Sequence, residues 1–157
     1  MDDQQRDFIM FPSHAVGLMP QEERLGLPGK SCKLSIGIPR ETTSLENRIS
    51  LVPEAVNLLI EAGHKVLVEN NAGAAAHFSN NQYSDAGAEI AYDTSVAFQS
   101  DVVIKVAPAT TAEIEMMKGK QELFSSLNLA GLTDVYFTQL SSKRVTAFAY
   151  EYMTDRD

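Results

Sequence analysis

The stretch KLSIGIPRETTSLENRISLVPEAVNLLIEAGHKVLVEN, from position 33 to 70, limits the fold more than any other part of the chain. Residues 34–38 are a short apolar run, enough for one buried strand, with Gly37 and Pro39 at its end. Residues 40–50 are charged and polar and read as a loop. Pro53 can open a helix, because the first helical position needs no N–H donor. Val52, Val56, Leu59 and Ile60 recur at helical spacing and give that helix one apolar stripe. Gly63 stops it, since glycine takes the left-handed conformation without a Cβ clash. Residues 66–68 supply a second apolar strand. Two buried strands joined by a helix form a right-handed βαβ unit. In open α/β sheets the loop after the first strand of such a unit lies at the edge where ligands bind. Arg48 falls in that loop.

The rest of the chain repeats the alternation. After NAGAAAHFS, read as a flexible loop, Ser79 with Gln82 and Thr110 with Glu113 have the spacing of capping boxes. Gly87 and Gly119 are expected to end the two helices that follow them. Further strands are expected at 89–92, 102–106, 123–127 and 145–150. Two more helices are expected, at 93–99 with Val96 and Phe98 apolar, and at 133–142 with Val135, Phe137 and Leu140 apolar. Nearly continuous apolar character over 102–106 suits a strand covered on both faces. The pattern calls for an α/β fold: a mainly parallel, doubly wound, flavodoxin- or Rossmann-like sheet with helices on both faces. MTDRD is too short and polar to cover the sixth strand, so the expectation is an incomplete domain, a fragment of a longer protein. Residues 1–31, punctuated by Pro20, Gly26, Pro28 and Gly29, read as a separate arm that packs on a neighbour or stays mobile. Residues 32–157 read as the domain proper.

Composition narrows the function. A chain of 157 residues, 44% of them hydrophobic, can bury a core and suits one domain. The net charge of −8 argues against nucleic acid as the main partner, because phosphate binding needs a basic surface. A single cysteine, Cys32, leaves no internal disulfide framework and fits a reducing compartment. No apolar run approaches the ~20 residues that span a bilayer. The acidic start MDDQQRDFIM argues against export, and the expected location is cytoplasmic.

Three residues could carry chemistry. Arg48 can grip a carboxylate through two parallel hydrogen bonds, or pair with Glu41, Glu46 or Glu54. Lys105 interrupts the apolar run VVIKVA, and a buried ammonium needs a partner. That partner is a substrate anion or a local carboxylate, unless the side chain snorkels to the strand end. Asn128 closes the fifth strand, where its amide can bond a ligand or cap the next turn. His14, His64 and His77 have no partners at metal or triad spacing. Neither a metal site nor a Ser/His/Asp or Cys/His nucleophile is expected. No GxGxxG follows any strand, so the dinucleotide fingerprint is missing.

The segments IGIPRETTSLENRISLVPEAVNLLIEAGHKVLVENNAGAAAHFSNNQYSDAGAEI, QSDVVIKVAP and VTAFAYEYM carry a specific likeness. Together they resemble the N-terminal domain shared by alanine dehydrogenase and the alpha subunit of nicotinamide nucleotide transhydrogenase. Lysine-ketoglutarate reductase modules carry a similar domain. The likeness implies the substrate side of a two-domain NAD(P)-dependent oxidoreductase that assembles into homo-oligomers. The cofactor, NAD or NADP, would be bound by a Rossmann domain absent from this chain. Arg48 matches the family arginine of the ENR motif, which in alanine dehydrogenases binds the carboxylate of pyruvate or alanine. Lys105 matches the first lysine of a KVKEP-like stretch. The family's substrate-binding lysine is the second one, where this sequence has Ala107. Asn128 stands where alanine dehydrogenases place a catalytic histidine, within LFSSLNLAG. An asparagine cannot exchange a proton as an imidazole does.

These departures count against oxidative deamination of alanine and fit the transhydrogenase alpha side better, where hydride transfer between two nicotinamides needs no acid–base histidine; a third reading is an alanine dehydrogenase-like paralogue with a different substrate. The expected substrate-binding residues are Arg48, Lys105 and Asn128. A reading of another class is a stand-alone interaction or regulatory domain that kept the fold and lost the catalytic residues.

Overall fold

The computed structural model describes residues 33–43 and 45–154. The arm expected over 1–31 and the lone Cys32 lie outside the described residues. The described chain forms six strands: β1 (Ser35–Ile38), β2 (Lys65–Glu69), β3 (Glu89–Ala91), β4 (Val102–Ile104), β5 (Glu122–Ser125) and β6 (Thr146–Ala149). Between them run α1 (Pro53–Glu61), α2 (Asn80–Asp85), α3 (Thr94–Phe98), α4 (Thr111–Met116) and α5 (Asp134–Lys143).

Every strand pairing is parallel, and the order is β3-β2-β1-β4-β5-β6. The strand sequence therefore reverses direction between β1 and β4. The two faces have separate cores. On one, Val56 of α1 and Tyr83 of α2 pack with Ile36, Ile38, Val66 and Val68. On the other, Phe98 of α3, Ile114 of α4, and Tyr136 and Leu140 of α5 pack with Val103 and Leu123. Each fully covered aliphatic side chain, such as Val56 or Val68, contributes about 1.5–3 kcal/mol through its burial.

Local chemistry explains the boundaries. Pro53 is the first residue of α1, and Gly63 beyond its end has φ +94°. Both capping boxes form, Ser79 with Gln82 and Thr110 with Glu113. Gly37 is required by packing: a Cβ there would collide with the carbonyl oxygen of Ala97. Thus α3 rests directly on β1.

Four local expectations change. The NAGAAAH stretch is not a formless loop. Ala74–Ala76 make a 3-10 turn, and Asn71 before it and His77 after it are left-handed. α4 ends at Met116, ahead of Gly119, because Met117 turns extended and buries its side chain. Gly119 instead sits in the turn before β5, where a Cβ would strike the Lys143 carbonyl. On α5 the buried residues are Tyr136 and Leu140, while Val135 and Phe137 are exposed. Tyr136 and Leu140, four residues apart, share the inner face, and Val135 and Phe137 fall to either side of it. Finally, β4 is shorter than 102–106, and Lys105 lies one residue beyond it.

Candidate active site

The carboxyl ends of β1 and β4 meet at the reversal of strand order, the place where open α/β sheets form a crevice. The loop after β1 is pinned there at several points. Arg40 N–H donates to Glu69 Oε2 (2.8 Å). Ser50 Oγ donates to the Ile104 carbonyl (3.0 Å), and Tyr83 Oη to the Leu51 carbonyl (2.8 Å). The Glu41 carboxylate accepts the backbone N–H groups of Val106 (2.6 Å) and Ala107 (3.4 Å). A loop rich in charge thereby acquires a fixed course across the end of β4.

Below the loop lies a buried charge cluster. Lys105 is 1% exposed, and its Nζ donates to both carboxylate oxygens of Glu113 at 2.8 Å. Glu41 Oε2 lies 3.6 Å from the same ammonium, and the Phe98 ring centroid lies 5.9 Å away. Glu113 also accepts Thr110 N–H (2.7 Å) and Thr42 Oγ1–H (3.2 Å). One carboxylate therefore caps α4 and neutralises Lys105 together. Two carboxylates share one ammonium, and burial raises the Glu41 carboxyl above the ordinary range, partly offset by the Val106 N–H bond.

Arg48 stands over this cluster with its side chain 75% exposed. Its Nε and Nη2 donate to the two oxygens of Glu46 at 2.8 and 2.7 Å, a side-on fork. Glu46 also accepts the Arg48 backbone N–H (3.0 Å). The hydrogen bonds from Arg48 hold the Glu46 carboxyl down to about 2, and Glu46 in turn raises the guanidinium pKa. Arg48, Ile49, Ser50, Ile104, Lys105, Val106 and Tyr150 line one cleft of about 340 Å³. Tyr150 Oη donates to the Val106 carbonyl (2.7 Å), closing the side nearest β6. Burial raises the Tyr150 phenol above its ordinary range.

The structure brings Arg48 and Lys105 to one cleft and leaves Asn128 outside its lining. Asn128 follows β5 with φ +43°, and its carbonyl accepts Gly131 N–H (2.8 Å). Its own N–H and that of Leu127 donate to Glu151 Oε1 at 2.8 and 2.7 Å. At Ala107 the methyl is buried and only the backbone N–H reaches a site group, Glu41. Glu41 and Glu113 went unnoticed as site groups in the sequence. The available signals were a charge just past the end of a strand, and a cap glutamate eight residues after a buried lysine.

Residues 37–157 match the family described as "Alanine dehydrogenase/PNT, N-terminal domain". The chain belongs to this family. Among curated relatives, alanine dehydrogenase of Staphylococcus epidermidis (strain ATCC 35984) is 40% identical over 119 residues, covering 75% of this chain and 32% of that protein. Alanine dehydrogenase 2 of Staphylococcus aureus (strain USA300) is 41% identical over the same length and shares. The chain therefore spans about a third of the length of the relatives it matches. A solved L-alanine dehydrogenase superposes with a TM-score of 0.71 at 38% identity, over 74% of this chain and 32% of that one. A transhydrogenase from Sinorhizobium meliloti gives the same TM-score at 24% identity, over 78% and 36%, a likeness of fold. The matched region includes Arg48 and Lys105, both outside the strands at the carboxyl edge of the doubly wound parallel sheet that the residue pattern implied.

Proposed function

We propose that this chain is the substrate-side domain of an NAD(P)-dependent oxidoreductase acting on a small 2-oxo or 2-amino monocarboxylate. The observation that carries the proposal is the exposed Arg48 guanidinium over a cleft at the sheet's reversal point. Identity of 40–41% to proteins named alanine dehydrogenase supports the dehydrogenase side of the family over the transhydrogenase side. Arg48 is the anion anchor and Lys105 a second charge beside the cleft, while Asn128, three residues past β5 and outside the cleft lining, is a polar contact only where a further domain completes the site.

The residues of this chain do not fit a dinucleotide at the crevice. The turn after β1 reads Pro39-Arg40-Glu41, without glycine, and the Glu41 carboxylate accepts the N–H groups of Val106 and Ala107 at the end of β4. The nicotinamide is therefore assigned to a domain outside this chain. The chemistry left to these residues is to bind and orient the substrate. Arg48 fixes the carboxylate through charge-assisted hydrogen bonds. Ile49, Ile104 and Val106 present an apolar wall to the rest of a small substrate. With an amide at Asn128 and a methyl at Ala107, proton transfer falls to a group other than the histidine and second lysine of the alanine dehydrogenase pattern. In this reading the enzyme is a cytoplasmic homo-oligomer.

The test is Arg48→Ala in the protein completed by its cofactor domain. Loss of a carboxylate clamp should lower kcat/KM by on the order of tenfold to a hundredfold. Unchanged kcat/KM for every accepted substrate removes Arg48 from the site.

A further inference from the structure

The Arg48–Glu46 contact has a direction. A guanidinium offers two forks, a side-on one through Nε and one terminal nitrogen, and an end-on one through both terminal nitrogens. Glu46 fills the side-on fork of Arg48 with two short hydrogen bonds, 2.8 Å from Nε and 2.7 Å from Nη2. Among the described residues Nη1 has no hydrogen-bond partner, and the Arg48 side chain is 75% exposed. The Glu46 side chain is tucked in at 13%. Glu46 is fixed further by the Arg48 backbone N–H. Its own backbone N–H donates to the Thr43 carbonyl (3.0 Å), which closes a tight turn. The carboxylate is thus the anchored member of the pair and the guanidinium the presented one.

We propose that Glu46 is a positioning residue that clamps the side-on fork of Arg48 and aims its end-on fork at the carboxylate of a small monocarboxylate ligand. This rests on reading Arg48 as the anion anchor. Two consequences follow from the geometry. The ligand adds to the Arg48–Glu46 pair without displacing Glu46, because the two carboxylates use different edges of one planar cation. Clamping also removes rotamer freedom from a long exposed side chain before the ligand arrives, which is a gain in affinity through preorganisation. An occluding role for Glu46, as an internal competitor for the guanidinium, predicts the opposite sign for the Glu46 variants.

The experiment uses the full 157-residue chain and pyruvate as the probe, with binding followed by NMR. The reporter is the Arg48 Nε–Hε resonance, assigned by its absence in Arg48→Ala. In the wild-type chain this resonance should be sharp and should stay near its free position as pyruvate saturates. Glu46→Gln keeps the shape and one acceptor oxygen but loses the charge and the second bond. It should weaken pyruvate binding about tenfold, broaden the Nε–Hε resonance and leave the far-UV spectrum unchanged. Glu46→Asp, which retains the charge on a shorter stem, should recover part of the loss. Tighter binding in Glu46→Gln, or a large Nε–Hε shift on pyruvate addition to the wild type, overturns the proposal in favour of displacement. Equal binding in wild type and Glu46→Gln, with loss in Arg48→Ala, overturns the role of Glu46 and leaves the anchor standing. Equal binding in all three, or none in any, overturns both.

Discussion

Lys105→Met should destabilise this domain more at neutral than at acid pH. The substitution keeps an unbranched stem in a site that is 1% exposed and removes only the charge. The ammonium lies 2.8 Å from both Glu113 oxygens and 3.6 Å from Glu41, whose side chains are each 4% exposed. With an effective dielectric constant of about 20, charges about 4 Å apart attract by about 4 kcal/mol. Orphaning one partner of a buried pair typically costs about 3–5 kcal/mol. Protonation limits this penalty. Neutralising a carboxyl of ordinary pKa ~4.3 costs about 3.7 kcal/mol at pH 7 but only about 1 kcal/mol at pH 5. Glu41 is the readier acceptor, since burial already raises its carboxyl. A carboxyl raised in the folded state contributes most below its unfolded pKa, and that contribution is lost as pH rises through the folded value. The variant should therefore lose about 3 kcal/mol at pH 7, roughly 10 °C in Tm, and about 1 kcal/mol at pH 5. Urea unfolding followed by far-UV circular dichroism at both pH values measures this. A loss below about 1 kcal/mol at pH 7, or an equal loss at the two pH values, would refute a dry cluster held together by the ammonium. Glu113→Gln is the companion. It leaves the ammonium with Glu41 alone, and its cost should not fall between pH 7 and pH 5, because acidification cannot neutralise an ammonium.

Gly37→Ala should cost at least about 2 kcal/mol in the same unfolding assay, because the added methyl meets the Ala97 carbonyl and lies 2.8 Å from Ser100 Oγ. Asp101 accepts from Lys118 Nζ (2.6 Å) and from Ser35 N–H (2.9 Å) and Oγ–H (2.7 Å), and its carboxyl is lowered to about 2. A lowered carboxyl stabilises above its unfolded pKa of about 4 and loses that contribution as pH falls toward 2. Its side chain is 43% exposed, so solvent screening holds the contribution to about 1 kcal/mol. Asp101→Asn should show a correspondingly smaller drop in stability between pH 5 and pH 2. NADH titrated into the 157-residue chain, followed by its fluorescence, should bind no more tightly than about 1 mM; a micromolar Kd would place a cofactor site on this domain.

Much of the fold was legible because separate local signals agreed. Pro53 and Gly63 bracket α1, the two capping boxes start α2 and α4, and the apolar runs fall at the six strands. What failed was phase and length. α5 carries apolar residues on adjacent positions, Val135, Tyr136 and Phe137, and sequence spacing alone does not say which faces in. Tyr136 is the one buried, carried inward with Leu140 four residues later. The site was harder. Lys105 was visible as an expense in an apolar run, but its partner was hidden by a second occupation. Glu113 fits the pattern of a helix cap, and the pattern gives no hint that a cap carboxylate also reaches a lysine eight residues earlier. Glu41 and Glu46 sit in one polar loop, and only the folded course of that loop separates them. One bonds the end of β4, while the other grips Arg48.

The strand order β3-β2-β1-β4-β5-β6 is the order of dinucleotide-binding sheets, yet the crevice here is built against a pyrophosphate. Such a ligand needs a backbone that comes close, N–H groups with no other acceptor, and a helix start beneath it. Each requirement fails for a separate reason. Pro39, Arg40 and Glu41 occupy the turn, so the backbone keeps its side chains. The N–H groups of Val106 and Ala107 are already taken by Glu41. α1 begins only at Pro53, after the long loop that carries Arg48. The local charge is also adverse, with Glu41 and Glu113 set against Lys105 alone in the buried layer. Two guanidiniums of this loop face outward, Arg40 in the turn and Arg48 further along, and of these Arg48 lines the cleft. A single guanidinium over an apolar-walled cleft of about 340 Å³ matches one small monoanion better than a diphosphate. In the proposed reading the sheet presents a substrate and does not hold the cofactor, because the loop after β1 carries Arg48 to the cleft and the Glu41 carboxylate occupies the N–H groups at the end of β4.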